Sequence, residues 1–402
     1  MHTTELAQTD HLFVVSDFDG TLAGFSTDIY DVPVNLQGLG ALTRLAGLPR
    51  TTVAVLSGRH LEGLVQVCRL RAPVLMAGSH GNESQLAAEP TPEQKALLDE
   101  VERQLAPIMD VPGAGIERKP FQRVAHVLEL SQRDPAEAER VLAAARALDV
   151  PGVHVTLGKN IVEFSATDVT KGTWIDQART ELGATSTVFV GDDVTDENGF
   201  RVLGENDLGV KVGEGETAAG LRVADRDAVA EFFTELADAR TAHVAYPKDT
   251  AGRLEWAIAH FAAVLYQLKD ETAPTACAGW NARDLVDHVT SWLPEMAGRA
   301  AVRHDNLVDQ FHAFAGLVRQ MLEAGDMEEA IRGFLIPDLF IHTWDLAVPN
   351  GIEHHLSEEV AQGIAKGYSQ DPQKFAAPVP ADAGASEVDK LMALTGRELP
   401  QE

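Results

Sequence analysis

The chain has 402 residues, of which 45% are hydrophobic, and it carries a formal net charge of −28 at pH 7. This length predicts two or three compact domains, each with a hydrophobic core. The large negative charge argues against binding to nucleic acid and against docking on an anionic membrane, because both need a basic surface.

Targeting signals and cysteines bear on where the protein resides. The first residues, MHTTELAQTD, lack the basic and apolar segments of a signal peptide. No stretch approaches the roughly 20 consecutive apolar residues of a membrane span. The two cysteines, Cys68 and Cys277, are too few for a disulfide framework, which fits a reducing compartment. We therefore expect a cytoplasmic protein.

Short apolar runs alternate with amphipathic segments through residues 10–81 and again through 165–240. The runs, such as LFVVS, TTVAVLS and STVFVG, are rich in β-branched residues. This alternation of apolar and amphipathic segments predicts an α/β fold, with a parallel sheet covered by helices on both faces. Residues 82–164 follow a different order of helix, strand pair, helix and strand pair, with the first strand pair in GIERKP and RVAHVLEL. That order predicts an inserted α+β cap domain.

The predicted strands stop near residue 240. Residues 241–251 have the composition of a linker, and residues 252–402 predict an all-α bundle with a C-terminal extension. Helical spacing places the bundle helices near 252–269, 281–298, 306–324, 328–347 and 355–368, with a short terminal helix in SEVDKLMALTG.

Two carboxylates, Asp17 and Asp19, stand in the sequence DFDGT directly after the apolar run LFVVS. Ligands of open α/β sheets bind beyond the carboxyl ends of the strands, so both side chains are candidates for one site. Because Asp and Gly also favour turns, a plain surface turn is the alternative interpretation of this motif taken alone.

Further motifs argue against a plain turn. Ser57 follows the second apolar run and offers a hydroxyl donor for a phosphate oxygen, and Lys171 offers a positive charge at a predicted helix start. Asp192, Asp193 and Asp196 follow a later run in the sequence GDDVTDE. Carboxylates so crowded repel one another unless a cation holds them, and oxygen ligands suit Mg²⁺.

These motifs, in the order DFDGT, SGR, K and GDDVTDE, resemble the four motifs of the haloacid dehalogenase superfamily. More narrowly, GSHGNE, GIERKP, GKNIVEF, TKGTW and VFVGDDVTDENGF resemble the signature segments of trehalose-6-phosphate phosphatases, over about residues 12–235. The resemblance implies a haloacid-dehalogenase-like core and a Mg²⁺-dependent hydrolysis of trehalose 6-phosphate through an aspartyl-phosphate intermediate.

The resemblance also implies a role for each motif residue. Asp17 would be the nucleophile, and Asp19 would be the general acid and then the general base. Ser57 and Lys171 would hold the oxygens of the transferring phosphoryl group. The implied ligands and outer partners of Mg²⁺ are Asp17, the main-chain carbonyl of Asp19, Asp192, Asp193 and Asp196.

The implied substrate-binding residues are Thr21, Arg59, His80, Glu117, Lys119 and Glu163. Thr21 would donate to the phosphate or steady its loop, and His80 would contact the substrate or cap a turn. The three cap residues would contact sugar hydroxyls, with solvated strand residues as the alternative interpretation. The family usually carries an Arg two residues after the His of the second cap strand, but here Val127 and Leu128 follow His126, so Leu128 stands at that position. Another sugar phosphate, such as a glucosyl-glycerate phosphate, is the alternative substrate.

The bundle resembles a different family. The segments CAGWNARDLVDH, FLIPDLFIHTWDLA and PVPADAGASEVDKLMALTGRELP are similar to mycothiol-dependent maleylpyruvate isomerases, which are helical bundles related to the DinB fold. Asp338 and His342 share a helix face, and with His288 they could hold a divalent metal, most naturally Zn²⁺. Asp338 stands where the family has the longer Glu. The resemblance implies a low-molecular-weight thiol as a possible partner, and a structural or regulatory bundle without metal is the alternative.

Overall fold

The computed structural model describes residues 3–84, 89–158, 160–368, 376–382 and 384–399. Within these ranges, no helix combines the length and the apolar composition that a bilayer crossing requires. The chain forms a central sheet with its helices, a cap inserted into that part, and a C-terminal group of helices.

Six parallel strands form the central sheet. Numbered in chain order, they are β1 (Leu12–Ser16), β2 (Thr51–Leu56), β3 (Leu75–Ala77), β8 (Ser186–Gly191), β9 (Leu208–Val212) and β10 (Leu221–Val223), and their spatial order is β10-β9-β8-β1-β2-β3. Every residue of β1 is buried, as expected for a central strand covered on both faces. The apolar runs predicted the first five strands, whereas β10 is a short, largely exposed edge strand that the pattern missed.

Helices cover both faces of this sheet. They are α1 (Thr3–Ala7), α2 (Leu36–Ala46), α3 (Leu61–Cys68), α7 (Lys171–Leu182), α8 (Glu197–Phe200) and α9 (Arg226–His243). Alternate residues of β1 point to opposite faces, so Val14 packs with α2, α3 and α9 while Phe13 packs with α7 and α8. Helix α1 was not predicted, and its Leu6 is fully buried.

An antiparallel sheet forms the cap, in the order β4-β5-β7-β6, from β4 (Gly115–Lys119), β5 (Gln122–His126), β6 (His154–Gly158) and β7 (Ile161–Ser165). Its helices are α4 (Pro92–Leu105), α5 (Leu128–Arg133) and α6 (Pro135–Arg146). Ala125, Val162 and Phe164 pack in the apolar core of the cap, so the alternate residues face the central sheet. The predicted strand RVAHVLEL is wrong after His126, because the chain turns into α5 and buries Leu130.

The C-terminal part is helical, as predicted. Its helices are α10 (Thr250–Gln267), α11 (Ala282–Val289), α12 (Trp292–Met296), α13 (Leu307–Glu323), α14 (Glu328–Ala330), α15 (Ile336–Ala347), α16 (Glu358–Gly367) and α17 (Glu387–Leu394). The predicted helix over 281–298 is therefore interrupted after Val289. A π-helical turn, Ile331–Leu335, leads into α15 just before Pro337, whose ring removes one helical N–H donor.

The predicted linker over 241–251 is shorter in the structure. Helix α9 continues to His243, and α10 starts earlier because the Asp249 side chain accepts from the backbone N–H of Gly252. One continuous hydrophobic cluster then includes Leu42 of α2 and Phe261 of α10. The predicted boundary between a phosphatase domain and a separate bundle therefore runs through a shared hydrophobic core.

Small residues bring α2 and α10 close together. A Cβ atom added to Gly47 would lie 2.3 Å from the Cβ of Ala259, and one added to Gly40 would lie 3.0 Å from the carbonyl oxygen of Ala263. Both distances are too short for a larger side chain without a shift of a helix. This contact is consequently a fitted helix–helix interface.

Candidate active site

The first site lies beyond the carboxyl end of β1. Asp17 follows the last residue of β1, and its backbone N–H donates to the carbonyl oxygen of Val190 at 2.8 Å. Because β2 and β8 flank β1 in a parallel arrangement, the motifs that follow these strands arrive at the same edge of the sheet. Asp17 is only 4% exposed, so its carboxylate is enclosed by the protein.

Lys171 opens α7 and reaches this carboxylate. A capping box between Thr170 and Thr173 fixes the start of the helix. The Lys171 Nζ lies 2.5 Å from Oδ1 of Asp17 and 2.6 Å from Oδ1 of Asp196. Burial alone would lower the pKa of Lys171, but the two carboxylates outweigh burial and raise the pKa above its usual value. The ammonium group therefore stays charged between two carboxylates.

Three carboxylates, those of Asp17, Asp192 and Asp196, have oxygen atoms within 4.8 Å of one another. Burial, then the neighbouring charges of Asp196 and Asp193, raise the pKa of Asp192 to about 6, so negative charge remains uncompensated. Gly20 leaves the room that this group needs, because a Cβ atom there would lie 2.1 Å from Oδ2 of Asp192. A set of oxygen donors with excess negative charge fits Mg²⁺.

The structure separates one predicted metal partner from this group. The carboxylate of Asp193 is exposed and accepts from the next backbone N–H along the chain, at 2.7 Å. Asp196, by contrast, is fully buried.

Two further residues contact Asp192. The Thr21 hydroxyl lies 3.5 Å from Oδ1 of Asp192, which favours its loop-steadying role. Lys211, a buried residue of β9, donates to the carbonyl oxygen of Asp192; it belongs to none of the sequence motifs and was not predicted.

The motif after β2 contacts the second carboxylate of DFDGT. The Ser57 hydroxyl is buried and accepts from the backbone N–H of Arg59 at 3.1 Å. Arg59 in turn donates from Nε and Nη2 to both carboxylate oxygens of Asp19, at 2.7 and 2.6 Å. Its remaining amino group donates to the carbonyl oxygen of Ile29. In this structure the guanidinium nitrogens of Arg59 therefore all donate to Asp19 or to the loop that contains Ile29.

Cap and core meet through a buried polar cluster. The Lys119 Nζ donates to the carbonyl oxygen of Gly58 at 2.8 Å and lies 3.6 Å from Oε2 of Glu163. Oε1 of Glu163 lies 3.5 Å from Nε2 of His80 and accepts from Gln122 at 3.0 Å. Burial alone would raise the pKa of Glu163, but His80 and Lys119 lower it below its usual value. The sequence did not single out Gln122, which lies opposite Lys119 in the register of the sheet.

Glu117 and Leu128 are the other two cap positions that the sequence motifs bring into question. Glu117 lies two residues from Lys119 on β4, hence on the same face, and its partner Val124 lies opposite Glu163. Leu128, where the resemblance would place Arg, begins α5 and is 41% exposed. The face of the cap toward the site therefore keeps charged groups on β4 and β7.

A second cluster joins α11 to α15. Nε2 of His288 lies 3.8 Å from Oδ2 of Asp338, and Nε2 of His342 lies 3.4 Å from Oδ1 of Asp338. All three ligand atoms lie within 4.8 Å of one another. The Trp292 indole donates to Asp338 at 3.1 Å, and a cavity of about 480 Å³ lined by His288 and Trp280 opens beside the cluster. The structure thus brings together the three residues suggested as metal ligands.

The opposite side of His342 contacts residues that were not predicted as part of a site. Its Nδ1 lies 2.8 Å from Oδ2 of Asp345, and Sγ of Cys277 lies 3.3 Å from the same oxygen. Arg397, beyond α17, donates to both carboxylate oxygens of Asp345, at 3.0 and 2.8 Å. Burial alone would raise the pKa of Asp345, but the hydrogen bonds from His342 and Arg397 lower it to about 2. The spacing of three residues between His342 and Asp345 was the only local indication.

A parallel sheet with acidic residues after β1, a lysine at the start of α7, a carboxylate loop after β8 and an inserted cap defines a haloacid dehalogenase-like α/β fold. The sequence model of the trehalose-phosphatase family matches residues 15–226, which is more than half of the chain. The chain belongs to the trehalose-phosphatase family. The matched residues end within α9, before the helices of the C-terminal part.

The chain is also similar to individual proteins. The trehalose-phosphate phosphatase of Mycobacterium marinum is 32% identical over 250 residues, which cover 56% of this chain and 61% of that protein. The bifunctional trehalose-6-phosphate synthase/phosphatase of Thermoproteus tenax is 31% identical over 246 residues, which cover 58% of this chain and 33% of that protein. The chain therefore spans less than two thirds of either relative. The crystal structure of a trehalose-6-phosphate phosphatase related protein matches with 26% identity and a TM-score of 0.46, over 58% of this chain and 100% of that chain.

Proposed function

We propose that the chain is a Mg²⁺-dependent phosphatase that hydrolyses trehalose 6-phosphate to trehalose and phosphate. The observation that carries this proposal is the buried group after β1, in which Asp17 and Asp196 share the ammonium of Lys171 and Asp192 lies within 4.8 Å. Family membership supports the choice of substrate, because relatives of this chain are named trehalose-phosphate phosphatases.

The first step transfers the phosphoryl group to Asp17. A bond forms between a carboxylate oxygen and phosphorus, and the bond from phosphorus to the sugar oxygen breaks. Asp19 donates a proton to the leaving oxygen, which departs as a neutral hydroxyl. Ser57 and Lys171 hold oxygens of the phosphoryl group. Asp17 and Asp192 would hold Mg²⁺, which would supply the positive charge that allows a carboxylate and a phosphate to approach each other.

The second step returns Asp17 to its starting state. Asp19 accepts a proton from water, the water oxygen forms a bond to phosphorus, and the bond from phosphorus to Asp17 breaks. Because Arg59 occupies both oxygens of Asp19, this ion pair opens before each proton transfer. Arg59 is then free to contact the phosphate, as its resemblance to the family motif suggests.

Recognition of the sugar is assigned to the cluster between cap and core. Lys119, Glu163, His80 and Gln122 offer both donors and acceptors, which a sugar hydroxyl needs. Asp17 is enclosed while Lys119 holds the carbonyl oxygen of Gly58. Substrate entry therefore requires the cap to move away and break this hydrogen bond.

Steady-state kinetics on a panel of phosphates tests the proposal. The panel contains trehalose 6-phosphate, a glucosyl-glycerate phosphate and a small aryl phosphate, each assayed with Mg²⁺ and after treatment with EDTA. We expect the highest kcat/KM for trehalose 6-phosphate, loss of activity in EDTA and recovery on adding Mg²⁺. A higher kcat/KM for the glucosyl-glycerate phosphate would favour that alternative substrate. Full activity after exhaustive chelation would contradict the proposed metal dependence.

The second candidate function belongs to the helical part. We propose that His288, Asp338 and His342 bind one divalent metal, most naturally Zn²⁺, and that water or the thiolate of a small thiol takes the remaining position. The convergence of the three ligand atoms favours this function. Metal analysis of the full chain should find Zn²⁺ in the wild type and not in His342→Ala, whose phosphatase activity should be unchanged. Retention of Zn²⁺ by His342→Ala would contradict the proposal.

A further inference from the structure

We infer that Arg397, acting through Asp345, positions the metal-binding nitrogen of His342, so that metal binding by the bundle depends on the C-terminal segment. This inference rests on the proposed metal site of His288, Asp338 and His342. It concerns residues outside that ligand set, and it adds a link between the site and a distant part of the chain.

The hydrogen bonds determine which nitrogen of His342 carries the proton. Arg397 donates twice to the carboxylate of Asp345, which holds that carboxylate in its ionised form. An ionised carboxylate only accepts hydrogen bonds, so Nδ1 of His342, 2.8 Å away, is the donor. A metal bound by His342 would therefore take the lone pair of Nε2, the nitrogen that faces Asp338 at 3.4 Å. This is the arrangement by which a carboxylate usually orients a histidine that binds a metal.

The pair of Arg397 and Asp345 is built into the interior. Asp345 is fully buried, and the side chain of Arg397 is 12% exposed. Arg397 follows α17, whose Val388 and Leu391 share an apolar cluster with Trp344 of α15. Loss of the guanidinium would leave a buried carboxylate without its cation and free to rotate away from His342. Docking of α17 and orientation of the histidine are therefore linked.

A rival interpretation treats the same residues as a metal site. Cys277, His342 and Asp345 also have potential ligand atoms within 4.8 Å of one another. However, Arg397 occupies both oxygens of Asp345, so a metal there would displace a two-point buried ion pair. The Nδ1 of His342 also directs its proton to Asp345 and lies 4.0 Å from the sulfur of Cys277. These contacts favour the positioning role for the cluster.

Zn²⁺ affinities of the full chain test the inference, measured by competition with a chromophoric chelator in excess Mg²⁺, which occupies the oxygen-only site. We expect Arg397→Leu and Asp345→Asn each to weaken Zn²⁺ binding about 10- to 100-fold, the range for outer-shell partners of metal ligands. Arg397→Lys should restore part of the affinity, and Cys277→Ser should leave it unchanged. Arg319→Leu is the matched control, because it removes a comparable two-point pair, with Glu255, elsewhere in the bundle.

The visible absorption bands of bound Co²⁺ provide a readout that a purely structural role would not move. We expect these bands to change in Asp345→Asn, because the donor nitrogen reorients, and to stay constant in Arg319→Leu. Tighter Zn²⁺ binding by Arg397→Leu with weaker binding by Cys277→Ser would overturn the inference in favour of the rival site. Equal affinities of wild type, Arg397→Leu and Asp345→Asn would overturn the inference alone. Absence of Zn²⁺ binding by the wild type would overturn the proposed metal site as well. If Arg397→Leu does not fold, the Zn²⁺ affinity and the Co²⁺ bands of Asp345→Asn test the inference on their own.

Discussion

Asp17 and asparagine are nearly the same size, so Asp17→Asn separates the chemistry of this residue from its packing. We expect kcat for trehalose 6-phosphate to fall by more than about a thousandfold, because an amide does not attack phosphorus. The melting temperature should change little, because Lys171 keeps its second partner, Asp196. Steady-state kinetics and thermal unfolding measure the two effects. The exposed Asp28 provides the control Asp28→Asn, and a rate for Asp17→Asn within tenfold of wild type would contradict the assignment.

Glu163 is expected to select the sugar. Glu163→Gln keeps the size of the side chain but weakens its contacts with His80 and Lys119, so kcat/KM for trehalose 6-phosphate should fall about ten- to a hundredfold, or about 1.5–3 kcal/mol. The value for a small aryl phosphate should fall much less. Arg118→Met is the control, because Arg118 lies on the opposite face of β4 and pairs with Glu102. An equal fall of kcat/KM on both substrates would mean that Glu163 supports the fold and does not recognise the sugar.

Helix α10 carries a buried histidine, His260, and helix α13 carries a half-buried one, His312, and both make stability depend on pH. Burial is the main cause that lowers the pKa of His260 to about 3 and that of His312 to about 4, from 6.5. Below pH 6.5 the unfolded chain binds protons that the folded chain does not. The free energy of unfolding should therefore fall by about 1.4 kcal/mol per pH unit for each histidine as the pH decreases toward the folded-state pKa. Above pH 6.5 neither histidine contributes to this dependence.

Urea denaturation between pH 7.5 and about 5 measures this dependence. His260→Gln should reduce the slope of the free energy of unfolding against pH, because one of the two proton-linked groups is removed. His243→Gln is the control, since His243 is exposed at the end of α9. An unchanged slope in His260→Gln would show that the buried ring is not the group that responds.

The elements that the sequence predicted well are those with a strong local pattern. The run LFVVS is apolar throughout because β1 is buried on both faces, and the carboxylates after it mark the site. The strand through Leu128 was predicted wrongly because LEL suits a buried strand and a helix turn equally. Arg397 could not be connected to His342, because only tertiary packing brings residues so distant in sequence together. Arg59 matched its motif, but the sequence could not show that Asp19 is its partner.

In the whole molecule, Gly47 allows the close packing of α2 against α10, and so of the part built on the central sheet against the C-terminal helices. Gly47→Ala should lower the free energy of unfolding by about 1–3 kcal/mol, because its Cβ atom would clash with Ala259. The additional change Ala259→Gly should recover part of this loss by removing the clashing atom. Gly316→Ala is the control, because a Cβ atom there meets no atom within 4 Å.

The shared core also predicts that both parts unfold together. Urea unfolding followed by circular dichroism and by phosphatase activity should give coincident transitions, in the wild type and in Gly47→Ala. Loss of helical signal at a lower urea concentration than loss of activity would show that the bundle unfolds on its own and would contradict the shared core.

The close fit of α2 against α10 also constrains how the gene can change. A substitution that enlarges residue 47 is tolerated only with a compensating change at Ala259, so we expect these two positions to vary together among homologues of the full chain. Residue 40 faces the backbone carbonyl oxygen of Ala263, which no side-chain change at 263 removes, so it should stay glycine. In homologues that lack the appended helices, the same face of α2 meets water, and larger polar residues should replace the two glycines. The residues at positions 40 and 47 would then indicate which members of the family carry the C-terminal helices, even when the known sequence is a fragment that ends before those helices.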